Sequence, residues 1–148
     1  MRVVLQRVRE ASVTIDGKEY NKINQGYLLL VGITHEDTEE TVEKVANKII
    51  GLRVFEDQVG KMNLAIQEID GSILSISQFT LYADYRKGRR PGFEQAAKPE
   101  YAQHLYNYFN EYINKEIEVK TGIFGSDMKI SLINDGPVTI VIDSEELR

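Results

Sequence analysis

The stretch "SLINDGPVTIVID", residues 131–143, sets the fold class of this 148-residue chain. Its two halves are rich in β-branched and apolar residues in short alternation, the pattern of strands. Between them, Asp135-Gly136 is a strong hairpin signal, since glycine tolerates the positive φ that tight turns need. Pro137 follows, and its missing N–H cannot serve a strand ladder. The stretch therefore reads as two strands, "MKISLIN" and "VTIVID", folded about a Gly-Pro tip. One reading makes that tip a device that stops edge pairing. The other gives it a function, and the rest of the chain has to decide.

More strands flank this pair. "EIEVKTG" precedes it, "SILSISQFTLYAD" (72–84) is a strong strand, and the chain opens with "RVVLQRV", "ASVTID" and the more fully buried "YLLLVGI". Two helices interrupt them. The first is capped by Asp37 or Thr38, with Glu40 completing a possible capping box, and runs to about Gly51. Val42, Val45, Ala46, Ile49 and Ile50 give it one core-facing stripe. The second spans Pro99 to Asn114, with proline suited to the first helical position and Tyr101, Leu105, Tyr108, Phe109 and Tyr112 on the buried face. "GKMNLAIQEIDG" (60–71) has turn residues at both ends and reads as irregular. Strands predominate and connections are tight. The expected fold is α+β: a curved, barrel-like, mainly antiparallel sheet with two packed helices.

The bulk composition narrows the function. The length fits one domain over residues 1–148, with 42% hydrophobic and 28% charged residues, close to globular averages. The longest apolar run, Tyr27 to Ile33, is too short to cross a bilayer, so no membrane partner is expected. The opening "MRVVLQRV" shows no leader pattern and cysteine is absent, which predicts a cytoplasmic protein without disulfides or thiolate metal sites. The net charge of −5 leaves any polyanion to be met by a local basic patch.

Familiar catalytic constellations are missing: no phosphate loop, dinucleotide fingerprint or nucleophile elbow occurs. His35 and His104 lack the carboxylate spacing of a metal site, so neither metal nor cofactor is expected. In "SISQFTLYAD", strand alternation puts Ser75, Ser77, Phe79 and Leu81 on one side, and Ile76, Gln78, Thr80 and Tyr82 on the other. Buried polar residues there need partners. The row is either satisfied sheet hydroxyls or a pocket wall, with Phe79 as a stacking surface for a nucleobase and N–H groups at a reacting centre. Thr80 as nucleophile lacks a recognisable base. "YRKGRRPGF" (85–93) gathers Arg86, Lys87, Arg89 and Arg90 into the one dense basic cluster, either a solvated loop or a phosphate contact.

Five segments together resemble the D-aminoacyl-tRNA deacylase family: "MRVVLQRV", "GKMN" (60–63), "SQFTL" (77–81), "KGRRPGF" (87–93) and "NDGPVT" (134–139). They keep family order across essentially the whole chain. Ala65 and Gly92 depart from serines common in the family, which puts local loop contacts in question. The resemblance implies an enzyme that hydrolyses the ester between a D-amino acid, and also glycine, and the terminal adenosine of tRNA. It implies a homodimer with active sites at the interface and a cis Gly-Pro peptide entering the partner's site. By similarity, Gly136 and Pro137 hold the substrate α-amino group and exclude L-side chains. N–H groups near Phe79 and Thr80 stabilise the oxyanion, Ser77 and Gln78 shape the pocket, and Phe79 supports the adenosine. Arg7 fixes the Gly-Pro loop, Met128 lines the pocket, and the adenosine 2′-OH helps activate water. Arg86, Lys87, Arg89 and Arg90 contact the tRNA. Two rivals stand beside this: a non-catalytic RNA-binding module, and an esterase using Thr80 or Ser77 as nucleophile.

Overall fold

The computed structural model describes residues 1–147. The strands are β1 (Arg2–Ile15), β2 (Lys18–Ile23), β3 (Gly26–Gly32), β4 (Phe55–Glu56), β5 (Met62–Leu64), β6 (Ser72–Ser77), β7 (Val119–Thr121) and β8 (Lys129–Asp143). Helix α1 (Glu39–Gly51) follows β3, and α2 (Pro99–Asn114) lies between β6 and β7. The main sheet runs β2-β1-β3-β6-β7, with β8 on the other margin of β1. Pairings of β1 with β2, β3 and β8 are antiparallel; β3–β6 and β6–β7 are parallel. The sheet is thus mixed, curved and barrel-like, with the two helices on one side, the α+β architecture expected.

The chain between β3 and β6 is long enough for a parallel crossover because it contains α1 and the small β4–β5 hairpin. That hairpin, with a 3-10 turn at Ile66–Ile69, gives order to the segment read as irregular. Gly26 begins β3 where a Cβ would stand 1.8 Å from the Ser72 carbonyl oxygen, so only glycine lets the two strands start side by side.

The stretch 131–143 is not a hairpin. It belongs to one strand, β8, which follows β1 from Thr14↔Lys129 to Arg2↔Asp143. Between Val8↔Asn134 and Gln6↔Thr139 the partner gains three residues, Asp135 to Pro137, which bulge out before pairing resumes. Asn134 braces the bulge: its Oδ1 accepts from Val138 N at 2.8 Å, and its Nδ2 donates to Thr139 Oγ1 at 2.8 Å. Glycine at positive φ and proline without a donor suit a bulge as well as a turn, so local chemistry does not separate the two. "RVVLQRV" and "ASVTID" likewise fuse into the single strand β1.

A second bulge sits on β1 itself. Val8 pairs with Asn134 and Glu10 with Ile133, leaving Arg9 unmatched. Val3 and Leu5 pack with the helices, in a cluster with Tyr27, Leu29, Ile73, Val45 and Phe109. Val8, Ala11 and Val13 pack on the opposite face, inside the curl of the sheet, with Leu28, Leu74 and Ile76. Alternation alone would carry Val8 to residues 10 and 12; the extra residue moves the inward set to 11 and 13.

Helix α1 buries Val42, Val45, Ala46 and Ile49, as its stripe predicts, while Ile50 is partly buried. Its cap is Thr38, which exchanges hydrogen bonds with Thr41, not the Asp37–Glu40 box. Asp37 is buried and accepts from the Met1 ammonium at 2.6 Å and from Thr34 N at 2.8 Å. Helix α2 buries Ala102, Leu105, Tyr106, Phe109, Asn110 and Ile113. Its inner stripe is rotated from the one expected. Tyr101, Tyr108 and Tyr112 lie on the flank, where their hydroxyls donate to the Asp37 carbonyl, Glu43 and Asn47.

Candidate active site

Strand β6 ends earlier than the sequence suggests. After Ser77 the chain turns into a 3-10 helix, Phe79–Tyr82, so the predicted alternation through Leu81 breaks. Gln78 N still donates to the Val31 carbonyl at 2.8 Å, which pins the turn to β3. The N–H groups of Phe79 and Thr80 occupy the first two positions of the turn and have no intrahelical acceptor. Both residues are exposed, and the Phe79 ring stands 5.0 Å from Phe93, edge to face.

Beside this turn opens a cavity of about 660 Å³. Ser77, Gln78, Phe79 and Met128 line it, so four of the predicted site residues converge from the end of β6, the turn after it and the segment before β8. Its remaining walls are mainly apolar, contributed by Ile33, Ala96, Ala102, Phe124 and Ile130, with Lys98, Ser126 and Asp127 among the polar groups. The place of Met128 depends on Gly122, where a Cβ would lie 2.4 Å from its sulfur. Thr80 does not line the cavity, and its Oγ1 pairs with Gln78 Nε2 at 2.6 Å. The histidines are engaged elsewhere: His35 Nε2 meets the Glu94 carbonyl at 2.7 Å and His104 lies 3.8 Å from Glu39.

Behind the cavity, the Tyr106 hydroxyl donates to the Ser75 carbonyl at 2.7 Å, tying α2 to β6 two residues before Ser77. Burial pushes the Tyr106 phenol pKa upward, so the donor keeps its proton. Of the polar row expected in this strand, Ser75 is fully buried and its hydroxyl lacks a hydrogen-bond partner among the described residues. Ser77 faces the cavity instead. A second hollow, of about 650 Å³ around Asp37, Glu40, Lys44 and Glu145, contains none of the predicted site residues.

Gly136 and Pro137 do not line either hollow; they are exposed on the bulge of β8. Their peptide is cis. Arg7, only 4% exposed, holds the bulge from below. Its Nε donates to the Asp135 carbonyl at 2.9 Å and its NH1 to the Val54 carbonyl at 2.6 Å. A Cβ on Gly136 would lie 2.8 Å from Val138 Cγ2 and 3.0 Å from Arg7 NH2.

The basic loop is closed at its root by reciprocal backbone bonds of 2.7 and 2.8 Å between Asp84 and Gly92. Lys87, Arg89 and Arg90 are exposed, as is Arg86, which alone of the four is paired with Asp84 among the described residues. The Gly92 departure stands in this root, beside the Glu94 carboxylate. Ala65 precedes the 3-10 turn in which Glu68 caps its N–H at 2.7 Å. Sequence reasoning missed Phe93, Phe124 and Lys98 as cavity residues. Phe93 was signalled by its place beside the basic cluster, but Phe124 and Lys98 had no local mark.

Comparisons with known proteins bear on the family and the fold. The family described as D-Tyr-tRNA(Tyr) deacylase matches residues 4–143. A D-aminoacyl-tRNA deacylase of Bacillus thuringiensis (strain Al Hakam) is 59% identical over 146 residues, 98% of this chain and 100% of the relative. One of Bacillus cereus (strain AH187) is 58% identical over the same span. A solved structure named c-Myc DNA Unwinding Element Binding Protein superposes with a TM-score of 0.91 at 41% identity, covering 97% of this chain and 98% of the other. A probable eukaryotic D-amino acid tRNA deacylase shares the fold, with a TM-score of 0.83 at 17% identity over 95% and 97% of the chains. On a family match that spans nearly every element and an identity near three-fifths along the full length of its relatives, the chain belongs to the D-aminoacyl-tRNA deacylases, a family of ester hydrolases.

Proposed function

We propose that this chain, acting as one domain in a cytoplasmic homodimer, hydrolyses the ester between a D-amino acid or glycine and the 3′-terminal adenosine of tRNA. The observation that carries this reading is the pair of N–H groups of Phe79 and Thr80, without a backbone acceptor among the described residues, beside a mainly apolar cavity. The adenosine enters the cavity against Phe79. Water adds to the ester carbonyl, whose oxyanion is received by the two N–H groups. The bond to the ribose 3′-oxygen then breaks, and that oxygen takes a proton to give free tRNA and the free amino acid. No side-chain base contacts the Thr80 hydroxyl among the described residues, which supports activation of water by the adenosine 2′-OH over a covalent route.

Chirality is set by Gly136 and Pro137. Both stand on a bulge that Arg7 holds through the Asp135 carbonyl, outside the cavity of their own chain, which supports delivery of their carbonyls to a partner's site. There they bind the α-amino group and leave no room for an L-side chain. Glycine offers no side chain to refuse, so glycyl-tRNA is also cleaved.

The test is release of amino acid from D-tyrosyl-, L-tyrosyl- and glycyl-tRNA. The D- and glycyl esters are expected to turn over and the L-ester to persist. Thr80→Ala keeps most of the activity, while a terminal 2′-deoxyadenosine makes the substrate nearly inert. A trapped acyl-Thr80 ester would overturn this mechanism in favour of an ordinary esterase. The name of the 41%-identical structure favours a second reading, a non-catalytic nucleic-acid-binding module using residues 85–93 and Phe79. Binding of charged tRNA without any turnover decides for it.

A further inference from the structure

The loop from Asp84 to Gly92 is exposed at its tip and rigid at its root. Besides the reciprocal backbone bonds to Gly92, Asp84 accepts from Arg86 N at 3.1 Å and from Arg86 Nε and NH2 at 2.8 Å each. The Arg86 guanidinium holds the Asp84 carboxyl at a pKa of about 2, so the clamp stays ionised through the neutral range. Between the two clamped residues stands Tyr85, 81% exposed, the most exposed large apolar side chain among the described residues. Its backbone is fixed on both sides while its ring faces solvent. Three cations, Lys87, Arg89 and Arg90, follow within five residues, and the loop leads back to Phe93 at the cavity.

An exposed aromatic ring on a fixed backbone, with cations close by in sequence, is complementary to a base with its phosphates. Stacking on a ring is tolerant of base identity, and a backbone already held in place forfeits little freedom on binding. A duplex keeps its bases stacked on each other, whereas a single-stranded end can offer one. We propose that Tyr85 is a stacking platform for an unpaired nucleotide of the tRNA acceptor end, with Lys87, Arg89 and Arg90 on the flanking phosphates and the Asp84–Arg86 pair holding the backbone that carries the ring. This rests on the assignment of the loop to tRNA contact. It gives Arg86 a positioning role and leaves phosphate binding to the other three cations.

The experiment measures binding of two uncharged RNAs across a salt series: an acceptor-stem hairpin with a single-stranded 3′ tail, and the same hairpin cut blunt. Tyr85→Ala is expected to weaken the tailed RNA roughly five- to hundredfold and leave the blunt one unchanged. Tyr85→Phe and Tyr85→Trp restore tailed binding, and the salt slope stays as in the parent protein. Arg89→Gln with Arg90→Gln weakens both RNAs and flattens the slope by roughly two units at most. If Tyr85→Ala binds the tailed RNA like the parent, or weakens both RNAs equally, the stacking platform is overturned while the loop remains a phosphate contact. If the double arginine variant leaves the salt slope unchanged, the loop assignment itself fails, and the platform with it.

Discussion

Arg7 shows how much one side chain organises. It is almost wholly enclosed, yet its nearest carboxylate, Glu56, is 3.9 Å away and mostly exposed, so the ion pair contributes little. What holds it are two carbonyls on different parts of the chain, Asp135 on the bulge and Val54 after α1. The planar guanidinium reaches both at once; a lysine ammonium, a point donor on a flexible stem, does not. Arg7→Lys is therefore expected to lose about 1–3 kcal/mol, with Arg7→Met losing more because both carbonyls are left without their donor. Urea unfolding measures the loss. The folded fraction of either variant should also cleave D-tyrosyl-tRNA more slowly, since the Gly136-Pro137 segment is no longer fixed.

At the level of elements, α1 and α2 are joined along their flanks by Tyr108 to Glu43 and Tyr112 to Asn47. The hydrogen bond to Glu43 pushes the Tyr108 phenol up to about 12 from the ordinary 10.0. A raised tyrosine stabilises the fold fully below the ordinary value, and that contribution fades as pH climbs through about 12. Thermal stability is thus expected to drop between pH 10 and 12, with a smaller drop in Tyr108→Phe, and the difference in phenolate absorbance places the transition. Elements also show what could be read in advance. The stripes of α1 and the core of β3 are local signals, and both elements form as expected. The 131–143 stretch misled because a bulge and a hairpin use the same glycine and proline; what separates them is β1, more than a hundred residues away in sequence. The polar row of β6 misled for a similar reason, since the turn after Ser77 is pinned by the Gln78 N–H bond to Val31 of β3 and not by a breaker residue. In the site, Ser77, Gln78 and Phe79 were marked by the polar row of their strand and Met128 was implied only by the family resemblance, while Phe124 and Lys98 reach the cavity only through tertiary structure.

The whole molecule divides its proposed chemistry between two places, the cavity beside β6 and the bulge of β8. Among the described residues strand β8 pairs with β1 alone, and Ile133 and Val141 are 50% and 65% exposed along it. If each site combines one chain's cavity with the other's bulge, two inactive variants can rescue one another. Phe79→Ala with an intact bulge, mixed in equal amounts with Gly136→Ala and an intact cavity, is expected to recover about a quarter of parental turnover after subunit exchange. Rates that stay at the level of the separate variants would show that each chain works alone. The strand that joins these regions, β1, carries its own lesson about chain length. Because Arg9 is unmatched, the residues on either side already face the correct clusters without it. Deleting Arg9 should leave a folded protein with the same inward set, whereas deleting Ser12 sends Val13 and Ile15 to the wrong face and should abolish the cooperative melt. Position 9 is thus a spacer that the strand can lose, whereas the spacing from Ala11 to Ile15 is fixed by the face each side chain must take.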